Sequence, residues 1–178
     1  MIEKELKFAL GRDAACSLKN NSKSFGGILM YRRTRECNTI YDDGAGSVQV
    51  QDARLCLQTG REYSISFERA LSRRGVGQDL VLETKVGSLA NMKKILRRIG
   101  FRPVSNYARY RTTWQVGGAK VSLCEFSFGT FLECNGEISQ ITKLAQKLGF
   151  ALNEAVSASY EELHRRFSLA KLTSIIHD

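Results

Sequence analysis

Alternation with a period of two opens the chain. Ile2, Lys4, Leu6 and Phe8 fall on one side of an extended segment, and Glu3, Glu5 and Lys7 on the other. Two arrangements fit such a strand. With Leu6 and Phe8 in a core and the charged side in water, it is an ordinary edge strand. With the charged side turned into an enclosed lumen and the apolar side packed on helices, it is one stave of a barrel turned inside out. Further strands are predicted at residues 28–41, 53–58, 63–69 and 78–86, and again at 102–115, 119–126 and 130–135. Each has β-branched or aromatic content bounded by glycine-bearing turns. Helical spacing predicts helices over 11–24, 88–99, 138–148 and 157–170. In the second, Leu89, Met92, Ile95, Leu96 and Ile99 share a face opposite Lys93, Lys94, Arg97 and Arg98. About eight strands, joined mainly by short turns and interleaved with helices, make an α+β fold: an antiparallel barrel or a strongly curved sheet. No repeat or linker interrupts it, so residues 1–178 read as a single domain.

Composition narrows the partners. With 178 residues, 43% of them hydrophobic and 25% charged, the chain can bury a core without staples. No apolar run approaches the roughly 18 residues of a membrane span, and the charged start argues against a signal peptide. The five cysteines show no C-x-x-C spacing, and with only two histidines a structural zinc site is not supported. Free thiols in a reducing, cytoplasmic compartment are expected. The net charge of +9 suits an anionic partner. Its basic residues are scattered in pairs such as Arg32-Arg33, Arg73-Arg74 and Arg97-Arg98, with no block of five. Without zinc-finger spacing or a stacked-aromatic pattern, sequence-specific nucleic-acid reading is not expected.

The opening triplet has chemistry of its own. Two carboxylates roughly 7 Å apart along a strand suit one divalent cation, and a lysine one step further suits an anion bound to it. Glu3-x-Glu5-x-Lys7 resembles the motif that opens CYTH-superfamily proteins, among them class IV adenylyl cyclases, thiamine triphosphatases and the wider triphosphate tunnel metalloenzymes. Later motifs follow in the family's order: Thr39-Ile40-Tyr41-Asp42, the Ile99-Gly100-Phe101 helix stop, Arg109-x-Arg111 before Trp114, Gly129-Thr130-Phe131-Leu132-Glu133, and Ser159-Tyr160-x-x-Leu163. The resemblance covers nearly the whole chain.

What it implies is a closed, eight-stranded antiparallel tunnel barrel with a charged lumen and flanking helices. Lys7, Arg109 and Arg111 would contact a small-molecule triphosphate or polyphosphate, and Glu3, Glu5 and Glu133 would serve magnesium or manganese. Glu3, Glu5 and Lys7 form the implied catalytic set. The pattern departs from the family at functional positions. Cys56 and Gln58 replace two arginines, Glu68 a lysine, Cys124 an aspartate, Asn135 a glutamate and Ala158 a lysine. Asp79 and Glu83 are what remains of a row of alternating acids, and would join the metal side. Arg54 shares a face with Cys56, and Lys85 with Glu83, so both are candidates to recover lost phosphate contacts. The resemblance thus implies a divalent-metal-dependent hydrolase of inorganic or thiamine triphosphate. The alternatives are a class IV adenylyl cyclase making cyclic AMP from ATP, and a non-catalytic or weakly active polyphosphate- or nucleotide-binding relative. A homodimer is left open.

Overall fold

The computed structural model describes residues 1–20, 25–72 and 76–176, with backbone alone from 171 onward. The predicted end of the first helix at 21–24, the Arg73-Arg74 pair and His177 lie outside the described residues. Eight strands are present: β1 (Ile2–Leu10), β2 (Ile28–Asp42), β3 (Ala53–Thr59), β4 (Ser64–Ser72), β5 (Gly77–Lys85), β6 (Arg102–Val116), β7 (Ala119–Phe126) and β8 (Gly129–Asn135). They close into a barrel in the order β1-β5-β4-β3-β2-β6-β7-β8, every neighbouring pair antiparallel. Four helices accompany them: α1 (Arg12–Asn20), α2 (Leu89–Arg98), α3 (Ile138–Lys147) and α4 (Tyr160–Ile176). Single 3-10 turns at Gln49–Gln51 and Leu152–Glu154 were not expected from the pattern.

The barrel is inverted. Leu6 and Phe8 are each 1% exposed and face outward into a cluster with Trp114, Val121, Leu123, Leu132, Cys134 and Ile141 of α3. A smaller outer cluster joins Tyr41, Leu57 and Val86 to Leu96 of α2. Ser88 caps α2 by accepting from the Asn91 amide at 3.3 Å, which satisfies one of the amides the first turn leaves open. Only part of the predicted α2 stripe is used. Leu96 is buried and Leu89 and Met92 pack beside it, whereas Ile95 is 53% and Ile99 63% exposed. The strip of sheet beneath α2 is narrower than the apolar face the helix offers.

A third cluster lies inside the barrel. Tyr107, Cys124 and Phe131 project inward from β6, β7 and β8 and meet Tyr160 and Leu163 of α4, with Phe126 and Phe128 alongside. Tyr160 is 4.4 Å from the Phe126 ring centroid and 5.3 Å from that of Phe131. The start of α4 therefore forms an aromatic floor under one end of the lumen. The backbone feeding it is pinned to β1, where the Val156 amide donates to the Lys7 carbonyl at 2.7 Å. No helix among the described residues is long and apolar enough to cross a membrane.

If the apolar core is the outer jacket, cavities made there will be expensive. Leu123 and Leu132 face each other across β7 and β8 and are both 0% exposed. Leu123→Ala and Leu132→Ala are each expected to lose ~2–5 kcal/mol in urea denaturation, and to be non-additive when combined. Losses under ~0.5 kcal/mol, as at an open surface, would contradict an outer core.

Candidate functional site

The inward faces of the strands enclose a cavity of about 1040 Å³. Among the described residues, nine carboxylates and eight cations line it. The lumen is therefore close to neutral, and the chain's +9 resides on the remainder of the molecule. Glu3, Glu5 and Lys7 enter it from β1, Arg54 from β3, Asp79, Glu83 and Lys85 from β5, Arg109 and Arg111 from β6, and Glu133 from β8. Every residue the sequence offered for phosphate or metal thus borders one cavity, although not all of them touch.

Four charges interlock at its centre. Arg109 Nε donates to Glu36 Oε2 at 2.7 Å, and Arg111 Nη2 donates to Glu133 Oε2 at 2.7 Å. The diagonals are longer: Arg109 Nη1 to Glu133 Oε1 and Arg111 Nε to Glu36 Oε2 are both 3.7 Å. Burial alone would push the Glu133 carboxyl up, but Arg111, then Arg109 and Lys7, hold it down to about 2. Lys7, itself 7% exposed, lies 3.5 Å from Glu5 Oε1 and 4.4 Å above the Tyr160 ring, with the Arg109 guanidinium 5.8 Å from the same ring. The aromatic floor thus supports two of the cations through its π face.

Towards the other side wall, Arg54 faces Glu68 directly across β3 and β4 and binds it at 2.5 Å, while Ser66 Oγ donates to the other Glu68 oxygen at 2.8 Å. Burial pushes Glu68 up, but Arg54 and the Ser66 hydrogen bond bring it below its usual value. Arg54 is thus engaged by Glu68, as Arg109 and Arg111 are by Glu36 and Glu133. Lys85 reaches only the rim, 76% exposed along its side chain and 2.9 Å from Glu62. Beyond Arg54 and Glu68 lies a second cavity of about 770 Å³, roofed by Ile40, Val48, Leu71 and Val104 and closed by Glu161, His164 and Arg165 of α4.

The proposed metal residues divide. Burial, then Glu68, Glu83 and Glu5, push the Glu3 carboxyl up. Burial, then Glu133, push Glu5 up against Lys7, Arg111 and Arg54. Asp79 stands opposite Glu3 in the β1–β5 register. This corner carries negative charge that a divalent cation would relieve, and its oxygen donors suit magnesium or manganese. Glu133 does not fit the role as placed, because both its oxygens face arginines. Among the described residues no three carboxylate, histidine or cysteine side chains are gathered closely enough to hold an ion by themselves. Of the residues the sequence offered for a metal, Glu3 and Glu5 are the acids whose surroundings would suit one. Burial, the first cause at each, pushes the Cys56 and Cys124 thiols up to about 12. Protonated, the Cys56 thiol donates to Asn38 Oδ1 at 3.6 Å, and Cys124 lies against Arg111.

Glu36 is the functional residue the sequence did not announce. It sits on a strand whose ladder slips between Leu29 and Tyr31 and again between Tyr31 and Thr34, which breaks the alternation that would place it. Asn38, Tyr107, Lys120 and Ser122 also line the cavity, with no motif to mark them.

No protein-family profile and no curated protein sequence matches the chain. Solved structures do. A Vibrio parahaemolyticus protein provisionally described as an adenylate cyclase superposes with a TM-score of 0.80 at 19% identity, over 93% of this chain and 98% of its own. A Pyrococcus horikoshii protein gives 0.76 at 16% identity, over 90% and 98%. A Hippeastrum protein, provisionally described as an adenylyl cyclase and carrying a dominant triphosphatase activity, gives 0.64 at 17% identity, over 83% and 88%. The likeness is one of fold.

The central cluster has a pH signature. Glu133 lies below its usual value of 4.5, so its ionised form stabilises the fold above about pH 4.5, and the contribution disappears as the pH falls toward 2. Glu133→Gln leaves Arg109 and Arg111 short of one partner and is expected to lose ~3–5 kcal/mol at neutral pH. Urea denaturation at a series of pH values should show the gap to wild type narrowing below pH 4.5. An unchanged gap would mean that Glu133 is not ion-paired.

Proposed function

We propose that this chain, whose architecture is that of the CYTH tunnel fold, binds a linear triphosphate inside the barrel and hydrolyses it. Magnesium or manganese on Glu3 and Glu5 would assist, and inorganic or thiamine triphosphate is the expected substrate. One observation carries the reading: Lys7, Arg109 and Arg111 line a single cavity together with Glu3 and Glu5. A triphosphate brings several negative charges into a space where each is worth more than in water, so cations from facing walls fix its pose. Lys7 is the best positioned of them. Its ammonium is held between Glu5 and the Tyr160 ring, and it can stabilise charge developing on a transferring phosphoryl group without reorganising. A divalent cation, when bound, supplies further charge to the terminal phosphate and the leaving group. No nucleophilic side chain is required, which agrees with the protonated thiols. Glu3 and Glu5, crowded by like charge, are the acids with most to gain from that cation.

Hydrolysis is favoured over cyclisation by fold analogy with the Hippeastrum triphosphatase, and by the absence of a recognisable base-reading residue in the sequence. A second reading, binding without turnover, has a specific observation behind it. Arg54, Arg109 and Arg111 are each engaged by a carboxylate.

Orthophosphate release from inorganic tripolyphosphate in magnesium or manganese decides between them. Wild-type turnover is expected, falling by ~10²-fold or more in Glu5→Ala and in Lys7→Ala. Binding without orthophosphate release would establish the second reading, and cyclic AMP from ATP would establish a cyclase. A chain that neither binds nor turns over tripolyphosphate would overturn the proposal.

A further inference from the structure

We propose that Glu36 is a built-in anion seated on the Arg109–Arg111 pair, and that a polyphosphate enters the tunnel by displacing it. The inference rests on the reading of the tunnel as a polyanion site and adds a specificity-determining residue to it. Its starting point is an asymmetry between the two acids that hold the arginines. Glu133, 2% exposed, stands on the β8 wall between Lys7 and Ser122 in the strand register, and both its oxygens face guanidinium nitrogens. Glu36 is less enclosed, with 14% of its side chain exposed. It sits where the wall parts, because β2 pairs with β3 only from Cys37 onward.

The fit of Glu36 is also incomplete. Its Oε2 takes the hydrogen bond from Arg109 Nε but stops 3.7 Å short of Arg111 Nε. That Arg111 nitrogen is buried and has no hydrogen-bond partner. An unmet buried donor is costly; the same guanidinium meets the Cys124 thiol and Glu133 on its other nitrogens, and Glu36 is the acid nearest the open Nε, 3.7 Å away. A phosphate group presents several acceptor oxygens around one centre and can take both Nε–H groups, leaving Glu133 on the Nη side. Packing holds Glu36 in its seat. The β3–β4 turn lies so close that a Cβ on Gly60 would be 3.1 Å from Glu36 Cγ, so a larger residue there would press on the Glu36 side chain.

Displacement predicts that the seat tightens when its occupant loses charge. Calorimetric titration of the full chain with inorganic tripolyphosphate in EDTA removes any contribution from metal. Glu36→Gln keeps the shape and is expected to raise affinity by ~10-fold or more, with a larger ligand-induced rise in Tm than wild type shows. Glu62→Gln removes a carboxylate from the same cavity that pairs with Lys85 at the rim, and should change affinity by less than ~3-fold. Should Glu36→Gln fail to fold, Glu36→Asp withdraws the carboxylate by one methylene and is expected to act in the same direction. Wild-type binding with unchanged or weaker binding by the Glu36 variants overturns the displacement and leaves the tunnel reading standing. Equal gains from Glu36→Gln and Glu62→Gln also overturn it, reducing the effect to a general field. If no protein binds, both the displacement and the triphosphate reading fall.

Discussion

An ionised group taken out of water must find its counter-charge inside, and this barrel is arranged around that requirement. Arg109, Arg111, Glu36 and Glu133 neutralise one another at its centre, Arg54 neutralises Glu68 on one wall, and Lys7 lies between Glu5 and an aromatic ring. Two unit charges 4 Å apart attract by about 4 kcal/mol at an effective dielectric near 20. Each ion loses several kcal/mol on leaving water. Such pairs therefore come near to breaking even, and the lumen is no reservoir of folding energy. What it provides is a set of charges held in place before any ligand arrives.

Stability has to come from elsewhere, and the outer jacket is where the apolar side chains lie. Leu6 and Phe8 face helices because Glu3, Glu5 and Lys7 face each other's partners, so one alternation serves both surfaces. The aromatic floor joins the two systems. Tyr160 opens α4, packs on Phe126 and Phe131, and carries Lys7 and Arg109 on its ring. A helix that only plugged a barrel would not need that ring beneath the cations. The position of the charge excess follows as well. A lumen lined by nearly equal numbers of acids and bases leaves the basic excess on the outside, so net charge alone says nothing about where an anion docks.

Much of the architecture was legible in the chain. Strands β7 and β8 and helices α2 and α3 fall within a residue of the boundaries that turn glycines and helical spacing mark out. The choice between an edge strand and an inverted stave at β1 could not be made from one triplet, and it was the ordered series of later motifs that favoured the stave. The site was legible one residue at a time but not as a network. Arg109 and Arg111 stand out on β6, while Glu36, their partner, lies beyond two slips of the β2–β6 ladder that scramble the face count. The Arg54–Glu68 contact depends on a cross-strand register that a single strand does not display. Ile95 and Ile99 show the converse, since apolar spacing predicts a face but not how much of it the neighbouring sheet will cover.

The same interior that pairs its charges at rest is the one place where a polyphosphate could meet Lys7, Arg109 and Arg111 together, and the account depends on the anion going there and not to the basic exterior. A crystal structure with tripolyphosphate tests this most directly. The account predicts phosphate density within hydrogen-bond reach of Lys7 and of both β6 arginines, above the Tyr160 ring. Phosphate found only on the outer surface, with the central four charges undisturbed, would contradict it.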